Sequence, residues 1–237
     1  MSRSVATVGM VASRVTIRTI DGLADAERLV GLPVGPRGFR TKEMQEWYVL
    51  LKLLRKAVPA GVFELPSDIR CGNADAAAPE PDFVVSRAGA DDVTALVEIT
   101  EATSEADQKE MTLFQRSNKT AALLGEFGGR FSDGASHPEI TWASDIVDAV
   151  KRKDGKTIFR SSPVQRHLLV YPNSNASMLM FDEDDEKNGI ELLRKQFADD
   201  EGFLRLITNG CLIHILGNHI ICFDAFAGAP VIVNRAE

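Results

Sequence analysis

The chain has 237 residues, a formal net charge of −7, and 44% hydrophobic and 26% charged residues. That length fits one large domain with a sizeable core, or one domain with a short appendage. The acidic balance argues against a sequence-independent coat for nucleic acid, which needs a basic surface, and no run of about 18 apolar residues is present to span a membrane.

Arg14 and Arg18 interrupt the apolar stretch near the N-terminus. They are read against a secretory signal, and a cytoplasmic location is expected. Cys71, Cys211 and Cys222 are widely spaced and odd in number, which suits neither a zinc site nor a disulfide framework.

Residues 1–40 read as an N-terminal extension and lead-in loop, with a short strand over 11–17 and a Gly- and Pro-punctuated loop over 31–38. Residues 41–237 read as a single α/β domain. Thr41 is a helix N-cap, Glu43 suits the first turn, and apolar spacing carries a helix over 43–56 until Pro59 and Gly61 stop it.

Strands are expected over 62–65, 82–85 and 94–100, with a loop from 66 through Pro81. A helix follows over 104–124, then a Gly-rich loop over 125–138. Ser144 is expected to cap a helix over 145–153, acidic in its first turn and basic in its last. A strand over 167–171, a helix with an acidic start over 182–197, and a hairpin of 212–215 with 219–224 around Gly217 and Asn218 complete the order. Strands mixed with helices in this way indicate a central mixed sheet flanked by helices.

The chemistry concentrates on Pro81-Asp82 and on the run from Ala95 to Thr103. Side chains alternate faces along a strand, so Glu98 and Thr100 point one way and Val97, Ile99 and Glu101 the other. A carboxylate set among Leu96, Val97 and Ile99 is costly to bury without a partner. A cation shared with Asp82 would be one. Mg2+ or Mn2+ takes one or two carboxylates plus waters and phosphate oxygens, and can polarise a phosphodiester.

These residues resemble the PD-(D/E)XK nuclease superfamily. In that family a Pro-Asp strand precedes a strand carrying Asp/Glu-x-Lys on a restriction-endonuclease-like αβββαβ core. Here the matches are Pro81-Asp82 and Glu98-Ile99-Thr100, and the resemblance covers about residues 41–171. It implies metal-dependent phosphodiester hydrolysis of nucleic acid, DNA foremost, with Asp82 and Glu98 as metal ligands. Glu46, on a helical stripe with Leu50, Leu53 and Ala57, matches the glutamate that the family often adds from the preceding helix. Thr100 stands where the family carries its lysine. The resemblance then implies a lysine brought from another element, Lys109 foremost and Lys119 next.

Each residue also has a structural reading. Asp82 after a proline suits a turn or strand start. Glu46 can snorkel at the edge of its stripe, and Glu98 would be exposed on an edge strand. The missing lysine and the acidic net charge favour an alternative, a catalytically inactive relative that binds nucleic acid or a protein partner. A third reading is an unrelated α/β interaction protein. Nucleic acid is the partner expected, with a homodimer or a protein partner also compatible, and no membrane.

Lys151, Arg152, Lys153, Lys156, Arg160 and Arg166, interrupted among acids only by Asp154, read either as the phosphate-tracking edge of a groove or as a solvated helix end. His214 and His219 flank the expected late turn and suit packing better than zinc. His137 and His167 receive no role.

Overall fold

The computed structural model describes residues 18–20, 22, 24, 42–58, 63–72, 80–103, 137–154, 164–172, 183–216, 220–223 and 231–233. Among these residues eight strands form one sheet whose order in space is their order in the chain: β1 (Arg18–Ile20), β2 (Ser67–Cys71), β3 (Phe83–Arg87), β4 (Val93–Ala102), β5 (Gln165–Pro172), β6 (Cys211–Leu216), β7 (Ile220–Phe223) and β8 (Val231–Val233). The first four strands pair antiparallel, β4, β5 and β6 pair parallel, and β6, β7 and β8 return to antiparallel. Parallel neighbours need long crossovers. The crossover from β4 to β5 contains α2 (Pro138–Lys151), and that from β5 to β6 contains α3 (Glu183–Ala198) and α4 (Glu201–Thr208). Helix α1 (Lys42–Ala57) precedes β2.

Helices cover both faces of the sheet. On α1, Trp47, Leu50, Leu53, Leu54 and Ala57 recur at helical spacing and are buried. They pack with Ile69, Phe83, Val85, Ala95, Val97, Ile99 and Leu169. Trp47 meets Phe83 edge-on, with ring centroids 4.8 Å apart. The opposite face presents Ala102, Leu168, Val170, Ile213 and Ile215 to Trp142, Ile146 and Val150 of α2, Leu193 and Phe197 of α3, and Phe203 and Leu206 of α4. The alternation expected along β4 is present, with Val97 and Ile99 toward α1 and the even-numbered residues on the other face. Between β3 and β4 the chain turns through Gly89, whose φ of 71° is one that glycine adopts without steric cost.

Two expected boundaries are corrected. The strand expected over 62–65 lies instead at Ser67–Cys71. There Ser67 and Ile69 turn inward while Asp68 and Arg70 are half-buried, a polar alternation that reads like a loop in sequence. The helix expected to begin at Ser144 begins at Pro138, because a proline at the first helical position has no N–H to lose. Trp142 and Ala143 then extend its buried stripe, and Ser144 lies exposed within the helix. Strands β1 and β8 and helix α4 add to the expected elements. The strand expected over 11–17, the helix over 104–124 and the Gly217-Asn218 turn lie outside the described residues, although β6 and β7 do pair antiparallel from Leu216 with Ile220. No helix among the described residues is long and apolar enough to cross a membrane.

Candidate active site

Strand β4 outlasts its neighbour. Its register with β3 runs from Val93 opposite Ser86 to Val97 opposite Phe83, while its pairing with β5 continues to Ala102. Beyond Val97 no strand among the described residues pairs with the β3-side edge of β4, and its backbone groups need other partners. Side chains provide them. The Ile99 N–H donates to Asp82 Oδ2 at 2.7 Å. The Ile99 carbonyl accepts from Lys153 Nζ at 3.0 Å, and the Glu101 carbonyl accepts from Arg152 Nη2 at 2.8 Å. Residues 99 and 101 direct these groups to the same edge, as period-two strand geometry requires.

The same lysine reaches Glu98. Lys153 Nζ lies 2.6 Å from Glu98 Oε1, with side-chain exposures of 14% and 5%, so this ion pair is largely shut off from water. Such a pair holds together because each charge would be costly to bury without the other. Lys153 stands in the turn that ends α2, its N–H donating to the Val150 carbonyl. Continued by one step, the β3–β4 register sets Asp82 opposite Glu98, on the face away from α1. Asp82 holds the Ile99 N–H, and the ammonium that pairs with Glu98 holds the Ile99 carbonyl.

The other expected site residues fall as follows. Thr100 is buried on the face of Glu98. Glu46 is half-buried on α1, the helix that covers the opposite face of the sheet. Lys109 and Lys119 lie outside the described residues. Among the described residues no group of three or more His, Cys, Asp and Glu side chains is set to hold a metal ion. Arg166, read as part of a basic edge, turns inward, is buried, and donates to the Asn209 carbonyl.

Two features outside the expected site are conspicuous, Lys153 and a pair of histidines. Lys153 appeared in sequence only within a basic run. With α2 beginning at Pro138, its spacing of four and eight from the buried Ala149 and Asp145 puts it on the buried stripe, and that is the signal that finds it. His167 and His214 are both buried on adjacent strands, with Nδ1 and Nε2 at 2.9 Å. Phe63 stacks on His167 at 4.4 Å. Burial, then the charge of the other ring, pushes the His167 imidazole well below its ordinary range, and burial pushes His214 down to about 4. Both rings are neutral near pH 7, and one proton is shared along the bond between them.

Comparison with protein-family models, with curated proteins and with solved structures finds no match.

Proposed function

We propose that this chain hydrolyses phosphodiester bonds of nucleic acid, DNA foremost, at a divalent-cation site formed by Asp82 and Glu98. One observation carries this reading. The Asp82 carboxylate accepts from the Ile99 N–H, and Lys153 Nζ joins the Ile99 carbonyl to the Glu98 carboxylate 2.6 Å away, so Ile99 links an acid from the start of β3 to one on β4. The order of helix, three antiparallel strands, crossover and parallel strand supports a restriction-endonuclease-like αβββαβ core.

The residues fit a hard cation. Asp82 and Glu98 offer the oxygen donors that such an ion takes, while Arg152 and Lys153, which donate to carbonyls of the same strand edge, are positive groups suited to the phosphate and not to the cation. When bound, Mg2+ or Mn2+ held by Asp82 and Glu98 supplies Lewis acidity toward the phosphodiester and toward water. Lys153 fills the role of the lysine replaced by Thr100. It fixes the Glu98 carboxylate and provides a positive charge for the negative charge that develops on phosphate. We assign no ligand role to Glu46, whose helix packs across the sheet.

The second reading is a catalytically inactive relative that binds nucleic acid or a protein partner. It is favoured by the 5% exposure of the Glu98 side chain and by its satisfaction within the protein.

Mn2+ raises the melting temperature of the unchanged chain on the nuclease reading. Binding at a free concentration a hundredfold above the dissociation constant stabilises the fold by about 2.7 kcal/mol. The double variant Asp82→Ala with Glu98→Ala removes that increment. An equal response in the double variant places the ion elsewhere. Cleavage of plasmid and linear DNA, and of RNA, with Mn2+ separates the two readings, because an inactive relative leaves all of them intact.

A further inference from the structure

We infer that β2 positions the Asp82 carboxylate for the cation, through a clamp in which Arg70 and Gly72 hold the Glu80, Pro81 and Asp82 segment. The inference rests on the reading of Asp82 as a metal ligand.

Asp82 stands one step beyond the assigned end of β3, where the β2–β3 ladder runs out. Three contacts hold this segment. From β2, the Arg70 guanidinium grips Glu80 through two parallel bonds, Nη1 to Oε2 at 2.7 Å and Nη2 to Oε1 at 2.9 Å. That fork constrains orientation as well as distance. Just past β2, the Gly72 N–H donates to the Asp82 carbonyl at 2.9 Å. From β4, the Ile99 N–H takes the carboxylate itself at 2.7 Å. Between the first two contacts, Pro81 is buried and its ring fixes its φ.

Gly72 is needed for this approach. A Cβ built there would fall inside the van der Waals radius of the Pro81 carbonyl oxygen, which is backbone and cannot swing aside. Any larger residue at 72 must push Pro81, and Asp82 with it, away from β2. The Arg70–Glu80 pair has a different character. Its side chains are 35% and 33% exposed, so this half-buried pair still meets solvent and contributes modestly to stability. Its geometric role is larger, because it pins the segment two residues before a carboxylate that must converge with Glu98. Supports of ligating carboxylates behave in this way, and losing one typically weakens metal binding by about ten- to a hundredfold.

The test uses the full chain with Arg70→Gln, with Gly72→Ala, and with the exchanged pair Arg70→Glu and Glu80→Arg. Two readouts are taken beside a urea melt: hydrogen exchange of the Ile99 amide without metal, and Mn2+ affinity by calorimetry. Arg70→Gln is expected to leave the urea midpoint nearly unchanged, to speed Ile99 exchange toward the rate of Asp82→Ala, and to weaken Mn2+ by about ten- to a hundredfold. The exchanged pair restores both readouts. Gly72→Ala moves Ile99 exchange and Mn2+ affinity in the same direction while also lowering the urea midpoint, and if it fails to fold, Arg70→Gln and the exchanged pair decide. Ile99 exchange and Mn2+ affinity unmoved by Arg70→Gln overturn the clamp. If the unchanged chain takes up no Mn2+ while Ile99 exchange still responds to Arg70→Gln, the metal reading is overturned and the clamp stands.

Discussion

Lys153→Met lowers the stability of the fold by about 3–5 kcal/mol, the range for breaking one side of a buried ion pair. The substitution withdraws an ammonium from the Glu98 carboxylate and from the Ile99 carbonyl together. Neither partner gains ready access to water in exchange, since the Glu98 side chain is 5% exposed. Combining Lys153→Met with Glu98→Gln returns most of the loss, because no ionised group then stays buried beside a methionine. Urea unfolding of both variants gives the comparison. A loss under about 1 kcal/mol, the range of exposed pairs, would contradict the buried character of this one.

The same two variants separate folding from chemistry. On the proposed function, cleavage with Mn2+ falls at least about tenfold in Lys153→Met, or about 1.4 kcal/mol of transition-state stabilisation. It stays low in the double variant even where stability returns. Full cleavage by a folded Lys153→Met protein would remove Lys153 from the reaction and leave it a structural partner of Glu98.

Acid destabilises the protein through His167 and His214. Both folded-state values lie below the ordinary 6.5, so the unfolded chain takes up protons first as the pH falls. The stability they contribute is complete above pH 6.5 and is lost as the pH drops toward about 4, where His214 itself protonates. The shift at His214 alone corresponds to about 3 kcal/mol across that window, and His167 acts in the same direction. Protonating His167 would place a cation against Phe63, and protonating whichever ring accepts would break the single-proton bond between them. The double variant His167→Phe with His214→Leu removes both groups, and its stability should flatten between pH 6.5 and 4. An undiminished slope in that variant would assign the acid sensitivity to carboxylates elsewhere.

Much of the frame is legible from local pattern. The stripe of Trp47, Leu50, Leu53, Leu54 and Ala57 has the helical period, and its burial follows. The run from Ala95 to Ala102 carries a strand by its β-branched residues and apolar alternation, and the split between Glu98 and Ile99 follows from period two. Strand β2 escaped because Ser67, Asp68 and Arg70 make up three of its five positions. Its identity as a strand comes from pairing with β1 and β3, which local propensity does not encode. The three-residue strands β1 and β8 are likewise defined by a partner.

The site divides along the same line. Asp82 stands one residue before β3 and Glu98 on β4, near enough in the chain for a local reading to consider them together. Lys153 meets Glu98 across 55 positions, and His167 meets His214 across 47. Nothing local to either residue announces such a partner, and only the crossovers bring them together.

The matching of strand order to chain order governs how the site comes into being during synthesis. Thr94 meets Val85 across 9 positions, whereas Glu101 meets Tyr171 across 70. Short hairpins close quickly, and distant strands wait for the entropy of a long loop to be overcome. Pulse-labelled hydrogen exchange should find β3 and the start of β4 protected before β5, and simultaneous protection would argue against this order. As the chain leaves the ribosome, Asp82 can reach Ile99 once the β3–β4 hairpin has emerged. Lys153 must wait for α2 to be made and to dock. The nascent protein therefore passes through a stage in which Asp82 can already hold Ile99 while Glu98 still lacks the ammonium of Lys153, and a cation from the surrounding solution can stand in for it.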